Sequence, residues 1–141
     1  MISLPQPDDL TSLVLRSDFT DDAAWDALKA ALHTWDGHDS ATFVSHPHYA
    51  GLSLQDLVDA DNAASHEDKL IYLFIADATT MTDVERPLLA VDLADEPGRT
   101  FRVPSRWYAA VSANLTIANM DFAEFADAVD KSGTYRGFEG D

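Results

Sequence analysis

Three aspartates stand where a sheet could bring carboxylates together. Asp18 and Asp77 directly follow the apolar runs SLVLRS and KLIYLFIA, and Asp92 closes the run LLAVD. In open α/β sheets ligands bind beyond the carboxyl ends of the strands, so carboxylates meeting there would hold Mg²⁺ for phosphoryl chemistry. Asp92, however, lies on the first arm of a predicted hairpin, and a strand antiparallel to the one before Asp77 carries it to the opposite edge. Aspartate also caps turns after strands. With 20 aspartates in the chain, a set of turn caps is the plainer reading.

Arg99, Arg102 and Arg106 are three of only nine basic residues. With a helix start near Ser105 they would form an anion pocket. On one strand Arg99 and Arg102 share no face unless a turn intervenes, and ion pairs with Asp92, Asp95 and Glu96 are the simpler account. His33, His38, His46 and His48 crowd into sixteen positions with Asp36 and Asp39, a set of imidazoles that Zn²⁺ or Ni²⁺ would accept. Their spacing fits no HExxH-type signature, and His46-Pro47-His48 reads as a solvated loop. No GxSxG elbow, GxGxxG turn or P-loop is present, so no nucleophile with an adjacent base can be named and no cofactor is expected. Asn114 and Asn119 would line a pocket or simply bound helices. Trp25, Trp35, Trp107, Phe122 and Phe125 recur at helical spacing, which marks core before ligand stacking.

The elements that must position these side chains are easier to read. Polar residues 1–10, with Pro5 and Pro7, form a loose lead-in. Ser12 to Ser17 is a first strand, and Thr20 is the expected cap of a helix whose stripe is Ala24, Leu28, Ala31 and Trp35, ended by Gly37. Ala41 to Val44 is a short second strand, long enough after the first for a parallel crossover. Ser53 caps a second helix with Leu54, Leu57 and Val58 on its buried edge, ending somewhere in the polar stretch from Asp59 to Asp68. Lys69 to Ala76 does not alternate, which marks a central strand covered on both faces. A polar connection, Asp77 to Arg86, leads to a hairpin, Leu88–Leu93 and Thr100–Val103, turned by Pro97-Gly98 as in a type II turn. Two helices follow. The first carries Trp107, Val111, Leu115 and Ala118; the second starts at Asp121 with Glu124, Met120 and Phe125 as its capping box and staple, and stops at Gly133. The tail TYRGF is expected to dock. This order predicts a single α/β or α+β domain over residues 1–141, with a mixed sheet of about five strands, a hairpin and about four covering helices.

Composition narrows function further. Twenty-five acids against nine bases leave a net charge of −16, a field that repels nucleic acid and anionic membrane and steers a basic partner inward. Solubility and compositional bias explain the same charge without a partner. A chain without cysteine has neither a disulfide framework nor a thiolate metal site. The start MISLPQPDDL has no secretory pattern, and no apolar run approaches the ~20 residues that span a bilayer, so a cytoplasmic protein is expected.

The phrases LVLRSDFTDDAAWDAL, YAGLSLQDL, PLLAVDL, GRTFRV and NLTIANMDFAEFADAV, in that order, resemble a family of small acidic proteins common in high-GC actinobacteria and catalogued as a domain of unknown function. The likeness runs from about Leu13 to Phe138. Where this chain has SRWYAAVSAN, the family pattern more usually reads ELW followed by VENN. The resemblance implies one whole domain and no activity, so it assigns no functional residue.

The expected function is a non-catalytic, acidic protein-binding or regulatory domain, of the immunity or inhibitor kind, with a basic protein as partner. The alternative is a small enzyme or ligand-binding protein with a carboxylate and arginine pocket. A DNA mimic would need carboxylates spaced along the surface like phosphates.

Overall fold

The computed structural model describes residues 4–8, 11–32, 41–117 and 120–137. Its centre is the run YLFIA, the strand β3 (Tyr72–Ala76). β1 (Ser12–Arg16) lies parallel to β3 on one side and pairs on its other side with β2 (Ala41–Val44), also parallel. β4 (Leu88–Asp92) and β5 (Thr100–Val103) follow β3 antiparallel, giving the order β2-β1-β3-β4-β5. This is the mixed, five-stranded sheet with a hairpin that the pattern of apolar runs predicts.

Side-chain alternation sorts the apolar residues of the sheet into two separate cores. Val14, Phe74, Ala90, Phe101 and Val103 face a large core built with helices α1 (Asp22–Leu32), α4 (Ser105–Thr116) and α5 (Phe122–Ala126). Leu13, Leu15, Leu73, Ile75 and Val91 face a smaller core closed by Leu57 and Val58 of α2 (Leu54–Ala63). Both faces of β1 and β3 are therefore covered, which is why these strands are apolar without alternation.

A fifth helix, α3 (Ala78–Thr82), occupies what the sequence suggests is plain connection. Asp77 starts it: its carboxylate accepts from Thr80 N–H at 3.2 Å, while Thr80 Oγ1 accepts from Asp77 N–H at 3.2 Å. Other caps differ in detail. The cap of α1 is Asp21, whose carboxylate accepts from Ala24 N–H at 3.0 Å; Thr20 instead donates to Asp18. Ser53 caps α2 as expected, yet Leu54 is its first residue and faces outward, so the helix meets the sheet a turn later at Leu57. In α4 the stripe is centred on Tyr108, Val111 and Ser112, with Trp107 and Leu115 flanking it. α5 ends at Ala126, short of the expected stop. The Asp130 carboxylate gathers Ser132 N–H at 2.9 Å, Ser132 Oγ at 2.6 Å and Thr134 N–H at 3.1 Å into a turn instead. Ala118, Trp35 and Gly37 lie outside the described residues.

The hairpin turn is type II. Arg99 N–H donates to Glu96 C=O at 2.9 Å across Pro97 and Gly98, and Gly98 takes the positive φ of 94° that the third position requires. After Gly133 the chain lies along β5: Arg102 N–H donates to Gly133 C=O at 2.9 Å and Tyr135 N–H to Arg102 C=O at 2.7 Å. This covers the open edge of the sheet and buries Tyr135 among Phe101, Trp107 and Phe125. Among the described residues no helix is long and apolar enough to cross a membrane.

Candidate functional site

The chain runs from β1 to β2 on one side and returns to β3 on the other, so the sheet has its switch point between β1 and β3. Asp18 and Asp77 leave the carboxyl ends of these two strands, and Ser17 N–H donates to Ala76 C=O at 2.9 Å between them. Their carboxylates are committed to different partners. Asp18 Oδ1 accepts from Thr20 N–H at 3.0 Å and Thr20 Oγ1 at 2.8 Å. Asp77 caps α3 and accepts both guanidinium nitrogens of Arg102, each at 2.8 Å. Burial alone would raise the Asp77 pKa. Hydrogen bonds from Arg102, its charge, and the Thr80 N–H and hydroxyl outweigh burial and hold the carboxyl below its usual range.

Asp92 sits at the other edge, opposite Tyr72 at the start of β3, because β4 runs antiparallel. It is 2% exposed, and its two oxygens accept from Ala94 N–H at 3.0 Å and Glu96 N–H at 2.9 Å. The carboxylate thus knots the hairpin.

The three arginines engage separate groups. Arg99 pairs with Glu96 at 2.6 Å and with Asp127; Arg102 pairs with Asp77; Arg106 lies over the Trp107 ring at 5.4 Å. His46 caps the short turn Pro47–Tyr49 through Nδ1, which accepts from His48 N–H at 3.1 Å, and its ring meets His48 edge-on at 6.1 Å. His33, His38 and Asn119 lie outside the described residues. Among the described residues no group of three or more His, Asp and Glu side chains is arranged to hold a metal ion.

One charged residue at the switch point carries no sequence signal beyond its position at the end of SLVLR. Arg16 is 3% exposed. Its Nε donates to Asp18 C=O at 2.8 Å and its Nη2 to Asp22 at 2.8 Å, and its guanidinium lies over the Phe19 and Trp25 rings at 4.5 and 5.5 Å. It ties the β1 end to the start of α1 and is inaccessible to a ligand.

Charge is distributed unevenly as a result. Arg16, Arg99, Arg102 and Arg136 are spent on the chain's own carboxylates, Arg136 on Glu85 at 2.7 Å and Asp130 at 3.0 Å. Arg86 donates to the carbonyls of Thr80 and Met81. Exposed bases among the described residues are Lys69, Arg106, Lys131 and Arg136, and exposed Asp and Glu side chains far outnumber them. Asp59 on α2, Glu67 before β3 and Asp95 in the hairpin turn are exposed and in no ion pair among those described. α2 and the hairpin turn adjoin, since a Cβ placed on Gly98 would lie 3.7 Å from Val58 Cγ2.

Residues 11–138 match the family described as a domain of unknown function, DUF6924, and the chain belongs to that family. No curated protein matches the chain.

Proposed function

We propose that this protein is a non-catalytic binding domain, working in the cytoplasm, that offers an acidic surface to a basic protein partner in the manner of an immunity protein or inhibitor. One observation carries the reading. Four of the six arginines are paired with the chain's own carboxylates, and Asp59 of α2, Glu67 of the β3 approach and Asp95 of the hairpin turn are exposed and in no described ion pair. Such a surface raises association rates with a cationic partner and loses that advantage in salt. The test is affinity capture with the tagged protein, followed by elution in rising salt. A basic protein retained at low salt and released as salt rises supports the reading. Capture of no salt-sensitive partner counts against it.

A second reading rests on the Asp77–Arg102 pair at the carboxyl edge of the sheet, where α/β proteins hold ligands. In that reading an anionic ligand displaces Asp77 from Arg102. A phosphate titration that shifts the amides of Asp77 and Arg102 would favour it over the first.

A further inference from the structure

A cleft of about 280 Å³ opens at the amino edge of the sheet, opposite Asp18 and Asp77, between the starts of β1 and β3 and the end of α4. Gln6, Asp8, Ser12, Lys69, Tyr72 and Leu115 contribute to its lining. Its wall is built from fixed parts. Gln6 Nε2 donates to Asp68 C=O at 2.6 Å, Asp8 N–H to Thr42 Oγ1 at 2.8 Å, and Leu4 packs on the smaller core.

Behind the wall three hydroxyls form a chain. Ser12 Oγ lies 2.6 Å from the Tyr72 hydroxyl and 2.6 Å from Ser112 Oγ. Ser12 and Ser112 are fully buried, whereas Tyr72 is half-buried and faces the cleft. Burial raises the Tyr72 pKa against the opposing bond from Ser12, so the phenol stays protonated and can donate into the cleft. In the lining, Ile71 is 69% exposed, one of the few large apolar side chains left in water among the described residues.

The lining therefore combines one carboxylate, one ammonium, hydroxyls and an apolar rim. We propose that this cleft binds a small zwitterion with an apolar body, the chemical class of a free amino acid with an aliphatic or aromatic side chain. A lone anion would be repelled by a chain of net charge −16, and a lone cation would be held as well at many other carboxylates. A zwitterion gains only where both of its charges are met. Lys69, whose Nζ also donates to Asp61 C=O at 3.1 Å, answers the carboxylate with its remaining hydrogens, Asp8 answers the ammonium, the Tyr72 hydroxyl adds a hydrogen bond, and Leu115 and Ile71 receive the apolar part. At about 280 Å³ the cleft falls just below the usual ligand-site range of roughly 300–1,000 Å³, which suits only a small ligand.

The experiment is an amide-resolved NMR titration of the full chain with L-phenylalanine, hydrocinnamate and phenethylamine, the last two each lacking one charge. The expected result is saturable shifts at Ser12, Lys69, Tyr72 and Thr116 with phenylalanine, and about tenfold weaker binding of each singly charged analogue. Lys69→Gln should weaken phenylalanine about tenfold with little effect on phenethylamine. Tyr72→Phe, which keeps the ring, should weaken phenylalanine too. Equal affinity for all three probes, shifts confined to other surfaces, or no saturable shift with phenylalanine would each overturn the proposal.

Discussion

Arg102, on the last strand, grips Asp77, at the end of the central one, with both guanidinium nitrogens at 2.8 Å. The two residues are 25 positions apart, and β4, which begins at Leu88, runs between their strands. Asp77 also caps α3. Asp77→Ala removes a cap and leaves a largely buried guanidinium without its partner, and should cost roughly 2–3 kcal/mol in urea unfolding. Arg102→Lys keeps the charge and loses the fork, with a smaller loss of about 1 kcal/mol. Equal stability of wild type and Asp77→Ala would show that the pair contributes nothing.

The same pair sets a pH dependence. The folded-state pKa of Asp77 lies below its unfolded value, so its contribution is complete above the ordinary carboxylate range near pH 4 and is lost as pH falls through the folded value. The stability difference between wild type and Asp77→Asn should thus be constant at neutral pH and close in acid. Asp130, held at about 2 by the Ser132 hydroxyl and the Thr134 and Ser132 amides, should keep its turn intact to lower pH than most carboxylates allow. NMR titration of the two carboxyl carbons checks both directions. A midpoint for Asp77 above 4 would contradict this account.

Asp92 tests the hairpin. Asp92→Ala leaves the Ala94 and Glu96 amides without their acceptor inside a tight loop, at a cost of roughly 2–3 kcal/mol in denaturant unfolding. Asp92→Asn keeps one acceptor oxygen and should cost less. A neutral Asp92→Ala would remove the carboxylate from any role in the turn.

Two leucines about one turn apart on α2 should behave oppositely. Leu57 is 1% exposed inside the smaller core, and Leu57→Ala should destabilise by about 2–5 kcal/mol. Leu54 is 39% exposed, and Leu54→Ser should fall within about 0.5 kcal/mol of wild type. A large loss at Leu54 would mean that α2 is rotated from its described pose.

What could be read in advance follows the range over which each signal acts. The run YLFIA announces a central strand because burial on both faces removes polar residues locally. Pro97-Gly98 announces its turn because the required φ values belong to those residue types. Leu54 and Leu57 share an apolar stripe on paper, and only the docking of α2 decides which one the sheet covers. Arg16 looks like a strand end, and its burial under Phe19 and Trp25 depends on where α1 returns. The amino-edge cleft was illegible for the same reason: Ser12, Tyr72 and Ser112 meet across 60 and 100 positions, and three hydroxyls at such separations leave no pattern. Of the candidate site residues, the sequence could place Asp92 at the far edge from strand direction, but not the pairing of Asp77 with Arg102.

The proposed contact joins an acidic surface to a basic partner. Its most direct measurement is the dissociation constant for the captured partner across a salt series, for wild type and for the triple variant Asp59→Asn, Glu67→Gln, Asp95→Asn. These three carboxylates cap no helix and take part in no described ion pair, so the variant should fold as wild type does. The account predicts binding that weakens steeply with salt, and a triple variant bound at least about tenfold more weakly at low salt with a shallower salt dependence. Identical affinities and identical salt slopes for the two proteins would contradict it.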